Sequence, residues 1–213
     1  MAAAAVPAAD TRTFILDAAR IRLLADGYAG LSTRKVAEQA GVPLSQLHYH
    51  FGSKGGLIMA LFAEENQHRL ARQTRMYAQD KPLWQRYEQA CDFLEDDLDS
   101  GYVRVLQEMV AAGWSNPEIG QAVRELLGGW HALLAEVARE AERRLGPLGP
   151  FTPEELAALV ANAFLGSEAL LLLGFERPEM PIRSALRRIS VLIREREEGL
   201  APPTVADGSV VAG

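Results

Sequence analysis

The chain has 213 residues with 22 Lys and Arg against 28 Asp and Glu, a net charge of −6. That length is enough to bury a substantial core, and the charge excludes a polycationic protein that coats nucleic acid. Cys91 is the single cysteine, which excludes an intrachain disulfide framework and points to a reducing, cytoplasmic setting.

The N-terminal MAAAAVPAAD has neither a basic lead nor a long apolar centre; it is expected to be a frayed tail over 1–10 and not a signal peptide. Residues 11–26 predict a first helix, with Phe14, Ile15, Ala18, Ala19, Ile21 and Leu23 forming a broad apolar stripe that Gly27 ends. In the segment 31–55, LSTRKVAEQAGVPLSQLHYHFGSKG, Val36, Ala37 and Ala40 share one face of a short helix. Gly41 suits the left-handed residue that closes such a helix, and Pro43 suits the first turn of the next. Leu47 and Phe51 give that next helix an apolar side, opposite Ser45, Gln46, His48 and Tyr49. Two short helices joined by a glycine turn form a helix-turn-helix, whose second helix reads base edges.

From Lys54 a longer helix is expected to run to about Gln79, carrying Leu57, Ile58, Leu61 and Phe62, before the break at Lys81-Pro82. Further helices are predicted over Leu83–Leu98 and Tyr102–Ala112. Asn116-Pro117-Glu118 combines a cap, an early proline and a first-turn carboxylate, opening a helix to Leu145. Thr152-Pro153-Glu154-Glu155 reads as a capping box. The helix it starts, 154–174, is apolar around nearly its whole circumference, so it needs cover on every side. A last helix at 182–196 presents Ile182, Leu186, Ile189 and Ile193 in a stripe. These two helices are expected to form a homodimer contact through residues 154–196, as half of a four-helix interface. No segment alternates with period two, and no uninterrupted apolar run reaches membrane-spanning length. The expected fold is all-α: nine helices, with a head at 11–55, a helical body at 56–198 and a disordered tail at 199–213.

The strings L-S-T-R-K-V-A-x-x-A-G-V and Q-L-H-Y-H-F-x-S-K resemble the DNA-binding domain of the TetR family of bacterial transcriptional regulators. The resemblance implies a homodimer that binds a pseudo-palindromic double-stranded operator and releases it when a small, partly hydrophobic effector enters the body. It implies that Thr33 meets a phosphate at the start of the second helix, that Arg34 reaches into the major groove, and that Lys54 contacts a phosphate. His48, Tyr49 and His50 occupy the family's aromatic run, with His48 where a tyrosine is usual. Leu44, Ser45 and Gln46 lie at the end of the recognition helix that meets bases; Gln46 suits adenine and Leu44 a thymine methyl. Charge asymmetry agrees with this: between residues 11 and 60, Arg12, Arg20, Arg22, Arg34, Lys35 and Lys54 outnumber Asp17, Asp26 and Glu38.

An effector pocket is expected between the body helices, bordered by Phe93, Met109, Trp130 and Asn162. Gly128-Gly129 inside a helix suggests a kink or room for a ligand, and Asn162 and Glu168 need buried partners if they face inward. There is no glycine-rich phosphate loop, no Cys/His metal spacing and no G-x-S-x-G, so neither enzyme activity nor a cofactor or metal is expected. The competing readings are a helical carrier or enzyme with a vestigial head, and a regulator controlled by a protein partner. A vestigial head would have no reason to keep Thr33, Arg34, Gln46, Tyr49 and Lys54 together.

Overall fold

A computed structural model describes residues 8–199, and within that span the chain folds into nine helices with no strands. They are α1 (Ala8–Gly30), α2 (Thr33–Ala40), α3 (Leu44–Phe51), α4 (Lys54–Tyr77), α5 (Leu83–Asp99), α6 (Tyr102–Gly113), α7 (Pro117–Leu145), α8 (Pro153–Leu172) and α9 (Ile182–Glu197). Of the tails expected at 1–10 and 199–213, Ala8–Asp10 open α1 and Gly199 follows α9; the remainder lies outside the described residues.

The helix boundaries follow local chemistry. Asn116 caps α7 by accepting from the N–H groups of Glu118 (3.0 Å) and Ile119 (3.3 Å). Thr152 and Glu155 close the expected capping box on α8. Gly41 ends α2 with φ 67° and ψ 28°, a conformation that costs a residue with a Cβ about 1–2 kcal/mol. Two expectations change. Gly27 does not end α1 but kinks it (φ 69°, ψ 173°), and the chain coils on to Gly30. Pro43 stands at the cap position of α3, one residue before the helix.

One continuous apolar core runs from α1–α3 through the first half of α4 into α6 and α7, including Ile15, Leu23, Val36, Leu47, Leu57, Phe62, Met109 and Ile119. A second cluster joins α5, α6, α8 and α9 through Tyr87, Cys91, Leu94, Val103, Phe164 and Leu186. The stripe on α1 is narrower than expected: Phe14 and Ile21 are about half exposed. Close approaches at glycines set two of the joints. A Cβ on Gly56 would lie 2.1 Å from the Phe51 carbonyl oxygen, so α4 can start hard against the end of α3 only with glycine there. Gly101 (φ 78°) leaves room for the Leu24 side chain, which a Cβ would meet at 2.4 Å.

Buried polar groups tie distant segments together. Arg86, 2% exposed, forks onto Glu140 at 3.0 and 2.5 Å and donates to the Tyr77 carbonyl. These bonds from Arg86 hold the Glu140 carboxyl below its ordinary range. The N-terminus of α5 has no side-chain cap of its own; Glu197, at the end of α9, accepts from the Leu83 N–H at 3.1 Å and the Trp84 N–H at 3.4 Å. On α8, Glu168 faces inward, where the Gln107 amide donates to it at 3.4 Å. Burial pushes its carboxyl up to about 7.

Two predictions follow from this packing. Gly56→Ala gains about 1 kcal/mol of helix propensity, but the clash with a backbone oxygen outweighs it, for a net loss of about 1–3 kcal/mol in urea denaturation. A variant as stable as the parent would show that the α3–α4 turn adjusts freely. Glu168 is an acid whose folded-state pKa is raised, so the native state binds the extra proton and this group's contribution falls as pH climbs from about 4.5 to about 7. Glu168→Gln should abolish a decline of roughly 1–3 kcal/mol across that window. An identical pH slope in parent and variant would locate the titration elsewhere.

Candidate DNA interface and effector cavity

Helix α3 buries Leu47 and turns Leu44, Ser45, Gln46, His48 and Tyr49 outward. At about 1.5 Å per residue it is about 12 Å long, comparable with the width of a major groove. Tyr49 is 81% exposed. A large aromatic held that far into solvent gains nothing from its own fold and is available to a partner. His48 places Nδ1 2.9 Å from the Gly52 carbonyl oxygen, so Nδ1 carries the hydrogen. His50 is half-buried, stacked edge-on with Tyr49 at 5.1 Å, and its Nε2 is buried without a protein partner. Its ring supports the run; it is not part of the exposed surface.

Around α3, Ser32 and not Thr33 caps α2, accepting from the Lys35 N–H at 3.3 Å. That leaves the Thr33 hydroxyl outside the cap. Arg34 is exposed and lies 3.3 Å from the equally exposed Glu38. Such a pair contributes about 0.3–0.5 kcal/mol, so a nucleic acid can displace Glu38 at little cost. Lys54 is placed differently from a free surface lysine: its Nζ donates to the Tyr28 carbonyl at 2.6 Å and sits 4.8 Å from the centre of the Tyr28 ring. The N–H of the same Tyr28 donates to Glu108 of α6. The kink at Gly27 thus presents one residue to the start of α4 on one side and to the body on the other, a link that no sequence spacing revealed.

The excess of cations in the head is largely spent within the protein. Arg12 pairs with Glu64, Arg20 with Glu65, and Arg22 and Lys35 with Asp26. Two of those partners come from α4, beyond the stretch over which the charge asymmetry is counted.

In the body, the residues expected to border one pocket do not meet. Phe93 lies under the Arg72 guanidinium at 4.0 Å, Met109 is fully buried in the core, and Asn162 is exposed on the outer side of α8. Trp130 alone borders internal space, two small voids of about 30 and 50 Å³ that it shares with Gln73, Asp97 and Glu168. Its Nε1 donates to Gln73 at 2.8 Å. Gly128 is exposed with open space around it, Gly129 would touch only Leu70, and α7 runs through both without a break. The larger cavity, about 290 Å³, lies among the end of α4, the start of α5, the second half of α7, the first half of α8 and the last half of α9. Its walls include Tyr87, Leu134, Ala138, Val160 and Ile193. Sequence reading missed it because these are ordinary core residue types whose failure to fill space is a property of helix placement. Among the described residues no group of His, Cys, Asp and Glu could hold a metal ion.

The outer surfaces of α8 and α9 carry large apolar side chains in the open, beside Asn162 on α8 and Arg188 and Arg194 on α9. Leu159 (55% exposed), Leu170 and Leu173 stand on α8 and just past its end, with Val191 and Leu192 on α9. By length and composition α8 could also cross a membrane, the one such helix among the described residues. Its inner side, however, carries Glu168 and packs Ala157, Ala161 and Phe164 against the body.

Residues 15–61 match the family described as bacterial regulatory proteins, tetR family. The sequence has no significant match among curated proteins. Among solved structures the chain is similar to a Rhodococcus sp. protein assigned to the TetR family of transcriptional regulators, with 20% identity, TM-score 0.72, and coverage of 87% of this chain and 98% of that one. It is also similar to the transcriptional regulator FadR from Bacillus subtilis in complex with stearoyl-CoA, with 18% identity, TM-score 0.65, and coverage of 84% and 97%. A Saccharomonospora viridis protein in complex with choline gives 18% identity, TM-score 0.71, and coverage of 88% and 96%. The helix-turn-helix thus lies within the stretch, residues 15–61, that matches the tetR family of bacterial regulatory proteins, and the helical body shares the fold of these solved structures.

Proposed function

We propose that the protein is a homodimeric, sequence-specific DNA-binding repressor that a small, largely hydrophobic effector releases from its operator. The observation that carries the DNA reading is the outward face of α3, where Leu44, Ser45, Gln46 and Tyr49 stand exposed on a helix held from beneath by Leu47. Gln46 has the amide geometry to pair with adenine and Leu44 the apolar surface to meet a thymine methyl. Arg34 supplies a guanidinium for guanine once Glu38 is displaced. Thr33, His48 and Lys54 flank these positions as contacts to the phosphate backbone, Lys54 using donors not taken by Tyr28.

The dimer reading rests on the exposed leucines of α8 and α9. Leaving them in water forfeits about 25 cal/mol for each Å² of apolar surface, and a two-fold copy of the same surface is the natural cover. It would present two recognition helices to successive major grooves. Effector control needs a ligand that prefers one arrangement of the body and a route from body to head. The bonds from the Tyr28 N–H to Glu108 and from Lys54 to the Tyr28 carbonyl supply such a route, because a shift of α6 relative to α1 acts on the start of α4.

Fluorescence anisotropy on DNA from upstream of the protein's own gene tests the first part. Arg34→Ala should cost about 1–3 kcal/mol, concentrated at one base pair of each half-site. Equal weakening on every sequence would make Arg34 a backbone contact, and no sequence preference in the parent would refute specific recognition. For the dimer, Leu159→Glu places a charge in the contact and should convert the protein to monomer in sedimentation velocity runs at micromolar concentration. A parent protein that is itself monomeric there would end the two-fold model.

A further inference from the structure

The cavity of about 290 Å³ differs from an ordinary packing defect in two ways. Its lining is apolar except for two phenols, Tyr77 and Tyr87, and a guanidinium at its edge. Tyr87 belongs to the wall, is 7% exposed, and has a buried hydroxyl with no protein atom in hydrogen-bonding range. A buried hydroxyl left unpaired costs about 1–3 kcal/mol, which a ligand oxygen that parts the wall to reach it would recover. Its ring is fixed edge-on against Phe164 at 5.9 Å, so the hydroxyl cannot swing out to water.

Arg196 is the one charged side chain among the lining residues, and it lies on the exposed last turn of α9. It donates to the Pro147 carbonyl at 2.5 Å across the cavity's edge, which leaves other guanidinium donors unspent. The nearby Glu197 carboxylate does not compete for them. It is already taken by Arg144 at 2.7 Å and by the N–H groups of Leu83 and Trp84. Size sets the remaining constraint. A dry apolar cavity of about 150 Å³ holds benzene, so this space suits a ligand of about a dozen non-hydrogen atoms.

We infer that the cavity binds an amphipathic carboxylic acid of that size, its chain along the apolar walls, its carboxylate at Arg196 and a hydroxyl or carbonyl oxygen at its inner end on the Tyr87 hydroxyl. The inference rests on the reading of the body as an effector domain and names the chemistry of the effector. An anionic head favours a site whose only formal charge is positive, and a cationic amine of equal length finds no carboxylate on the wall. The inner oxygen discriminates further, because a plain alkyl chain leaves Tyr87 unpaired and a chain ending in oxygen does not.

Titration calorimetry of the full chain with decanoate, decan-1-ol, decylammonium and 10-hydroxydecanoate separates these contributions. The expected order is 10-hydroxydecanoate tightest, decanoate about fivefold to tenfold weaker, the uncharged alcohol about tenfold weaker again, and no heat from the amine. Tyr87→Phe should erase the preference for 10-hydroxydecanoate over decanoate while leaving decanoate affinity unchanged. Arg196→Met should erase the preference of decanoate over the alcohol. Equal binding of acid and alcohol, tighter binding of the amine, or a hydroxyl preference that survives in Tyr87→Phe would overturn the assignment, as would no binding by any of the four. Operator release, followed by anisotropy with the same compounds, is scored separately: an acid that binds as expected without releasing DNA refutes the effector role and leaves the ligand chemistry standing.

Discussion

The first half of α4 has to be buried by two different sets of helices at once. Leu57, Ile58, Leu61 and Phe62 are all at most 2% exposed, and the core that covers them comes from α1–α3 on one side and from α6 and α7 on the other. No apolar gap separates head from body at that level. The recognition helix therefore has no freedom of its own: α3 is set by α4, and α4 is set by whatever α6 and α7 are doing. Close-packed interiors of this kind move between discrete arrangements more readily than they deform. The helix-turn-helix is in this sense the outer end of the body's core.

Much of this architecture was legible in the sequence, because helix ends are encoded locally. Asn116-Pro117, the Thr152–Glu155 box and Gly41 each satisfy or release backbone groups within four residues, and the structure puts an end at each of them. What was not legible is which way a side chain faces when the helix gives no pattern to decide it. Helix α8 is apolar nearly all round beyond its first turn, so Asn162 and Glu168 carried no direction: Glu168 turned inward and Asn162 outward. Long-range pairing is equally invisible. Arg86 and Glu140 are 54 positions apart, and nothing near either one names the other. Gly56 did leave a trace, since Gly55-Gly56 in the first turn of a helix is poor for propensity and signals contact with a neighbouring backbone.

The same limits apply to the interface. A count of charges along residues 11–60 suggests a basic head, yet its arginines meet Glu64, Glu65, Asp26 and Glu38 in three dimensions. On the proposed function, long-range attraction to DNA is correspondingly weak, and discrimination falls to short-range groups on α3 and to Arg34. That arrangement suits a protein of net charge −6, for which nonspecific attraction to a polyanion is small.

The cap that Glu197 places on α5 bears on how the molecule is made. The first turn of α5 waits for a carboxylate 114 positions further along the chain, so during synthesis this cap cannot form until the end of α9 has been made. At about 5–20 residues per second that delay lasts roughly 6 to 23 s. Late in that interval, once residue 172 has been made, the apolar walls contributed by α5, α7 and α8 stand together without α9. The nascent protein is thus most vulnerable to premature association while its DNA-reading end is already in place, and the final helix serves as the closing piece that ends the interval.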